Sequence, residues 1–220
     1  MTEQEQIHVL EPFVTANKKQ LVDEALGRRT RFITVVLEDI YKPHNASAVI
    51  RTCDCLGIQD LHVIENVEAY HVNPYVVRGA SQWLTLQHYS GKANNTRDCI
   101  KSLKSKGYQI VATSLREDAV SLDDFKLIEK TAFVFGNEHS GVSPEVLAYA
   151  DVQLKVPMFG FTESYNLSVS AAIILYQVRL QLEKSLINWH LSEFEKGELK
   201  LAWYREIVKN ADTILRNTLP

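Results

Sequence analysis

The chain has 220 residues and a formal net charge of −3 at pH 7, a length that suits one domain with appendages better than two full domains. Hydrophobic residues make up 45% of it, enough to bury a sizeable core and to exclude wholesale disorder. The acidic balance excludes a globally basic nucleic-acid binder, so any such partner must be held by local patches.

Residues 4–26 read as helical, with apolar positions such as Leu21, Val22 and Leu26 and a stop at Gly27. RFITVVLED (31–39) is a near-continuous apolar run, the pattern of a strand buried on both faces of a parallel sheet. In the stretch that follows, Pro43 fixes a turn, Asn45 or Ser47 is placed to cap a helix, and Gly57 sits where that helix ends. LHVIE (61–65) is the second strand and LTLQHY (84–89) another. NNTRDCIKSLKSKG (94–107) is an amphipathic helix capped by Asn95 or Thr96 and stopped by Gly107. YQIVATS (108–114) and TAFVFGNE (131–138) are two further buried strands. SPEVLAYA (143–150) opens a helix with Ser143 as cap, Pro144 at the first position and Glu145 in the first turn. The strand-like run 151–156 ends at Pro157, which cannot donate a ladder hydrogen bond. A polar loop carrying Thr162, Glu163, Ser164 and Asn166 then leads into the apolar helix LSVSAAIILYQVRLQL, capped by Asn166 or Ser168. After residue 184 the pattern becomes a helical tail bearing Trp189, Phe194, Leu201, Trp203 and Tyr204. Strands alternating with helices predict an α/β fold, a mostly parallel sheet with helices on both faces.

Cys53, Cys55 and Cys99 lack CxxC spacing and read as free thiols of a reducing cytosol, and no His/Cys/Asp set has metal-ligand spacing. The N-terminal MTEQEQIHVLEP has no basic-then-apolar layout, and the run AAIILY is too short for a bilayer, so a cytoplasmic protein without membrane contact is expected. Basic clusters lie at Lys18, Lys19, Arg28, Arg29 and Arg31 and at Lys101, Lys104 and Lys106. A solvated surface is the default for such runs.

Three polar islands interrupt the apolar runs: NASAVIR (45–51), FGNEHSG (135–141), and the stretch from Pro157 to Asn166. Each follows a strand and opens a helix, so all three are expected at one edge of the sheet, where α/β proteins place ligands. Asn45 and Arg51, six residues apart, are expected to face similarly, with Arg51 close enough to the core to be paired or aimed at a ligand. GNEHSG lacks Gly-Lys-Ser/Thr and does not fit GxGxxG, which disfavours a P-loop or a dinucleotide site. His139 reads as a solvent-facing loop histidine before it reads as a base.

Together the islands resemble the three motifs of the SpoU/TrmH family of the SPOUT superfamily of RNA methyltransferases: NASAVIRT the first, FVFGNEHSGVS the second, VPMFGFTESYNLSVSAA the third. The resemblance covers about residues 32–180. With the flanking YKPHN and short helical extensions at both ends, the chain looks most like the branch that methylates the 2′-hydroxyl of guanosine 18 in tRNA. Tyr165 departs from the leucine often found before the motif's asparagine. The resemblance implies a SPOUT-type fold with a C-terminal trefoil knot over roughly 131–180, flanked by an N-terminal extension (1–31) and a C-terminal one (181–220). It implies S-adenosylmethionine as cofactor, held by Thr113, Gly136, Val156 and Tyr165 mostly through backbone groups, and a homodimer whose active sites draw on both chains.

The reaction so implied is transfer of the sulfonium methyl to a ribose 2′-hydroxyl, a poor nucleophile that must be aligned and relieved of its proton. Arg51 matches the family's proposed proton acceptor or activator. A guanidinium normally stays protonated, so orienting the hydroxyl and stabilising developing negative charge suits it better. Asn45 and Glu138 are expected to hold that arginine, and Ser164 and Asn166 to shape the loop and bind phosphate or cofactor. Arg28, Arg29 and Arg31, with the terminal helices, are the expected tRNA surface. The alternatives are the same chemistry on ribosomal RNA or at another tRNA position, and a non-catalytic RNA-binding protein of this fold.

Overall fold

The computed structural model describes residues 1–71, 73–77 and 79–218. In chain order its elements are α1 (Glu3–Leu10), α2 (Ala16–Leu26), β1 (Ile33–Glu38), α3 (Pro43–Cys55), β2 (Asp60–Ile64), α4 (Pro74–Val77), β3 (Thr85–Tyr89) and α5 (Asn95–Ser105). There follow β4 (Gln109–Thr113), β5 (Val120–Ser121), β6 (Thr131–Phe135), α6 (Pro144–Tyr149), β7 (Val152–Lys155), α7 (Leu167–Lys184), α8 (Glu193–Ile207) and α9 (Ala211–Asn217). By internal packing the chain divides into two units, one of residues 31–189 and one formed by its two ends, up to Thr30 and from His190 onward.

The larger unit is a seven-stranded sheet in the order β3-β2-β1-β6-β4-β7-β5, with every pairing parallel. Strands β1, β2 and β6 are buried at every position; β1 and β6 are accordingly near-continuous apolar runs, while β2 buries Asp60 and His62 among its apolar residues. Side chains still alternate between faces. Ile33, Val35, Leu37, Phe133 and Phe135 meet Val49 and Ile50 of α3 and Ile174, Leu175 and Val178 of α7 on one side. Val36, Ile110, Ala112, Ala132 and Val134 meet Ile100 and Leu103 of α5 and Val146 of α6 on the other.

The smaller unit packs α1 against α8 and α9, and α2 against α8, around Leu10, Leu26, Trp203 and Tyr204. An antiparallel bridge joins Thr30 to His190, and Lys200 Nζ pairs with Asp23 at 2.8 Å. No helix among the described residues is long and apolar enough to cross a membrane.

Local expectations fail where a side chain has business elsewhere. The helix expected over 4–26 is split by a 3-10 turn, Glu11–Phe13, because Pro12 offers no N–H for a continuing helix; Thr15 then caps α2. Helix α5 is capped by Asn94, whose Oδ1 accepts from Arg97 N at 2.9 Å. Asn95 and Thr96 turn inward instead, donating to Glu65 O (3.0 Å) and Glu38 Oε1 (2.7 Å). Neither Asn45 nor Ser47 caps α3; Lys42 holds that position with no side-chain bond of its own. The two-residue β5 and the short α4 carry too little pattern to be read in advance.

Candidate active site

Because the sheet is parallel, β1, β4, β6 and β7 all end at the same edge, and their order there is β1-β6-β4-β7. The chain runs outward from β1 to β2 and β3, then returns to build β4 and β6 on the other side. The resulting reversal of strand order opens a crevice at the carboxyl edge. The crevice has a volume of about 530 Å3, within the range of small-molecule sites.

Its floor is backbone. Gly136 ends β6 so close to the returning chain that an added Cβ would sit 2.2 Å from Gly141 O and 2.3 Å from Val142 N. Residues 137–141 form a tight turn closed by Gly141 N donating to Asn137 O (2.8 Å), with Gly141 itself at φ +71°, a conformation that L side chains rarely adopt. Asn137 anchors the turn: its Nδ2 donates to Asp39 O (2.8 Å), and its Oδ1 accepts from His139 N (2.9 Å). Asp39, the other fixed point, takes positive φ (49°) and accepts from the backbone N–H groups of Asn66 and Val67 at 2.7 and 2.9 Å. Just below it the buried Glu38 accepts from Thr96 Oγ1 and from both the amide and the hydroxyl of Ser143, tying β1 to α5 and α6.

Glu138 supplies the cap that α3 lacks. Its carboxylate accepts from Tyr41 N (3.0 Å), Lys42 N (3.1 Å) and Asn45 Nδ2 (2.7 Å), placing a negative charge at the helix's positive end. Partial burial pushes this carboxyl up, yet the Asn45 hydrogen bond, its own amide and those of Tyr41 and Lys42 together hold it below the usual carboxylate range. Asn45 then passes the connection on, its Oδ1 accepting from Asn166 Nδ2 at 3.2 Å. Asn166 caps α7 by accepting from Ser168 N (2.9 Å) and Ser168 Oγ (2.7 Å). One run of hydrogen bonds thus links all three polar islands.

Of the residues singled out in the sequence, Thr113, Gly136, Glu138, Val156, Ser164, Tyr165 and Asn166 all line the crevice. Thr113 donates its hydroxyl to Val134 O (3.1 Å). Asn45 lies beneath the crevice rim, buried. Arg51 is not brought to it: Arg51 is exposed and makes no hydrogen bond or ion pair among the described residues. Six residues turn a helix about 1.7 revolutions, which points Arg51 roughly 120° away from Asn45 and not, as expected, to the same side. Glu138 and Asn45 hold each other and the start of α3.

The arginine cluster is dispersed. Arg28 is exposed; Arg29 is only 5% exposed, its guanidinium 5.2 Å from the Trp203 ring centroid; Arg31 Nε lies 3.3 Å from Asp60 Oδ1. Glu38, Asp39 and Asn137 escaped the sequence reading, although polar residues closing an apolar strand are the signal that marks them. No cluster of three or more His, Cys, Asp or Glu among the described residues is arranged to hold a metal ion.

Comparison with known proteins agrees with this geometry. Residues 32–176 match the SpoU rRNA Methylase family. The tRNA (guanosine(18)-2′-O)-methyltransferase of Borreliella burgdorferi is 46% identical over 204 residues, which span 93% of this chain and 92% of that protein. Among solved structures, the A. aeolicus TrmH/SpoU tRNA modifying enzyme superposes with a TM-score of 0.78 at 30% identity, covering 92% of this chain and 100% of that one. The SpoU methyltransferase AviRb from Streptomyces viridochromogenes, solved in complex with the cofactor AdoMet, gives 0.61 at 25% identity over 74% of this chain and 65% of its own. On a parallel sheet whose three polar loops close on one crevice, with the family's motifs along the matched stretch, this chain belongs to the SpoU methylase family.

Proposed function

We propose that the protein transfers a methyl group from S-adenosylmethionine to a ribose 2′-hydroxyl of RNA, and that the target is guanosine 18 of tRNA. The hydrogen-bond run from Asn166 through Asn45 to Glu138 carries this reading, since it gathers the three islands around one crevice in a chain so similar to enzymes of that name. The crevice suits the cofactor. Bare backbone at Gly136 and Gly141 and apolar walls from Leu147, Leu154 and Ile174 match a nucleoside held by its edges and face. When bound, S-adenosylmethionine supplies a methyl carbon on a positively charged sulfur, the electrophile for in-line displacement by the sugar oxygen.

The chain's own residues do the rest. Thr113, Gly136, Val156 and Tyr165 surround the cofactor position, and Ser164 and Asn166 shape the loop that closes it. Arg51 presents a planar cation with several donors, suited to orient the 2′-hydroxyl with its neighbouring phosphate and to stabilise charge developing on the oxygen. With Arg51 turned away from the crevice of its own chain, a second copy completing the site is the natural arrangement. Val169, Tyr176 and Leu180 form an exposed apolar stripe on α7, and Phe159 and Phe161 stand fully exposed on the preceding loop, which supports a homodimer built there. Arg28, exposed beside α2, is the member of the arginine cluster that presents its charge to tRNA phosphates; Arg28→Glu should lower the salt slope of tRNA binding by about one.

Mass-spectrometric mapping of ribose methylation on unmodified tRNA and on ribosomal RNA tests the reading. Wild type should produce 2′-O-methylguanosine at position 18 of tRNA, and Arg51→Ala should fall by about 100-fold or more with its fold intact. Methylation of ribosomal RNA alone would favour the activity in the matched family's description. A methyl group on a base, or none at all, would refute the reaction.

A further inference from the structure

Beside the crevice stands a feature the reaction has not yet used. Tyr41, two residues before α3, is 54% exposed, and its ring lies 5.7 Å centroid to centroid from the ring of His139, tilted at 60°. A tyrosine so placed loses contact with the core and keeps a broad face open to solvent. Neither ring is on a loose tether. Tyr41 N is bonded to Glu138 Oε2 and His139 N to Asn137 Oδ1, so the carboxylate and amide that organise the crevice also fix the backbone that carries both rings. His139 lines the crevice, as does Lys42, the neighbour of Tyr41.

We propose that Tyr41 and His139 form an aromatic platform on which the base of the methylated nucleotide stacks. This rests on the reading of the protein as an RNA ribose methyltransferase. A 2′-hydroxyl is presented most fully to a crevice of this kind when its nucleotide has left the stack of its neighbours, and the exposed base then needs a new face to lie on. An aromatic pair at the rim replaces the lost stacking without reading the base's hydrogen-bonding edge. The platform therefore favours any nucleotide that is already unpaired, and acts as a positioning device for the sugar.

The test is a set of kinetics on unmodified tRNA and on the same tRNA carrying an abasic ribose at the methylated position. On intact tRNA, Tyr41→Ala should lose about 5- to 100-fold in kcat/KM, chiefly through KM, while Tyr41→Phe stays within about threefold of wild type. On the abasic RNA wild type and Tyr41→Ala should converge. With 2-aminopurine at that position, wild type should quench its fluorescence and Tyr41→Ala should not. Calorimetric titration with S-adenosylmethionine alone should give the same affinity for both proteins. Full activity of Tyr41→Ala, equal losses on the two RNAs, unquenched 2-aminopurine with wild type, or weakened cofactor binding would each overturn the platform. Wild-type protein inert on intact tRNA and on ribosomal RNA alike would instead overturn the reaction assignment, and the platform with it.

Discussion

Glu138 is the residue whose removal should report most directly on how the crevice is built. Its carboxylate is the acceptor for three donors, Tyr41 N, Lys42 N and Asn45 Nδ2, and replaces the N-cap that Lys42 does not supply. In Glu138→Gln, one oxygen can still serve Lys42 and Asn45, but the new amide group faces the Tyr41 N–H, donor against donor. The loss is one charge-assisted hydrogen bond and the charge at the helix end, roughly 1–2 kcal/mol at a partly solvated site. Glu138→Ala removes the acceptor of all three hydrogen bonds and should cost about 2–3 kcal/mol. Each kcal/mol corresponds to about 2–4 °C in Tm for a chain of this size. The pH dependence gives a sharper signature. The folded carboxyl is held below its ordinary value of 4.5, so its contribution is fully present above that pH and is lost as pH falls through the lower folded value. Thermal melts followed by circular dichroism should show a constant gap between wild type and Glu138→Gln from pH 7 down to about 5, closing at lower pH as wild type takes up its proton. A variant as stable as wild type at pH 7, or a gap unchanged down to pH 3, would refute the assignment of Glu138 as the ionised cap of α3.

Three further outcomes follow from the same geometry. Gly136→Ala must displace backbone, because the new methyl meets Gly141 O at 2.2 Å; a loss of about 2–4 kcal/mol with weakened cofactor binding is expected, read by melts and calorimetry. Asn166→Ala removes the α7 cap and the bond to Asn45, costing about 1–2 kcal/mol and loosening the cofactor more than it lowers Tm; an unchanged cofactor affinity would separate the cap from the site. Tyr176→Glu combined with Leu180→Glu places charges on the apolar stripe of α7 and should convert a dimer to monomers in sedimentation equilibrium; a wild type that already sediments as a monomer would end the shared-site proposal.

The buried strands were legible in advance because parallel strands covered on both faces need apolar residues throughout, and ITVVLE and TAFVF supply them. The helix caps Ser143 and Asn166 were legible for a similarly local reason, each being a short polar side chain one step before a helical run. The direction of Arg51 was not, because α3 starts at Pro43 and so holds both Asn45 and Arg51, and within a helix six residues leave them on different faces.

The sequence alone determined the alternation of strands and helices, the order of three polar loops along it, and the residue types those loops carry, since each depends on neighbours within a turn or a strand. Tertiary structure decided what those residues touch. Glu138 meets Asn45 across 93 positions and Asn166 meets Asn45 across 121, partnerships that exist only once β6 has inserted beside β1 and α7 has packed on α3. Likewise, the need for glycine at position 136 comes from a carbonyl five residues further on folding back over it, a steric demand that local pattern does not encode.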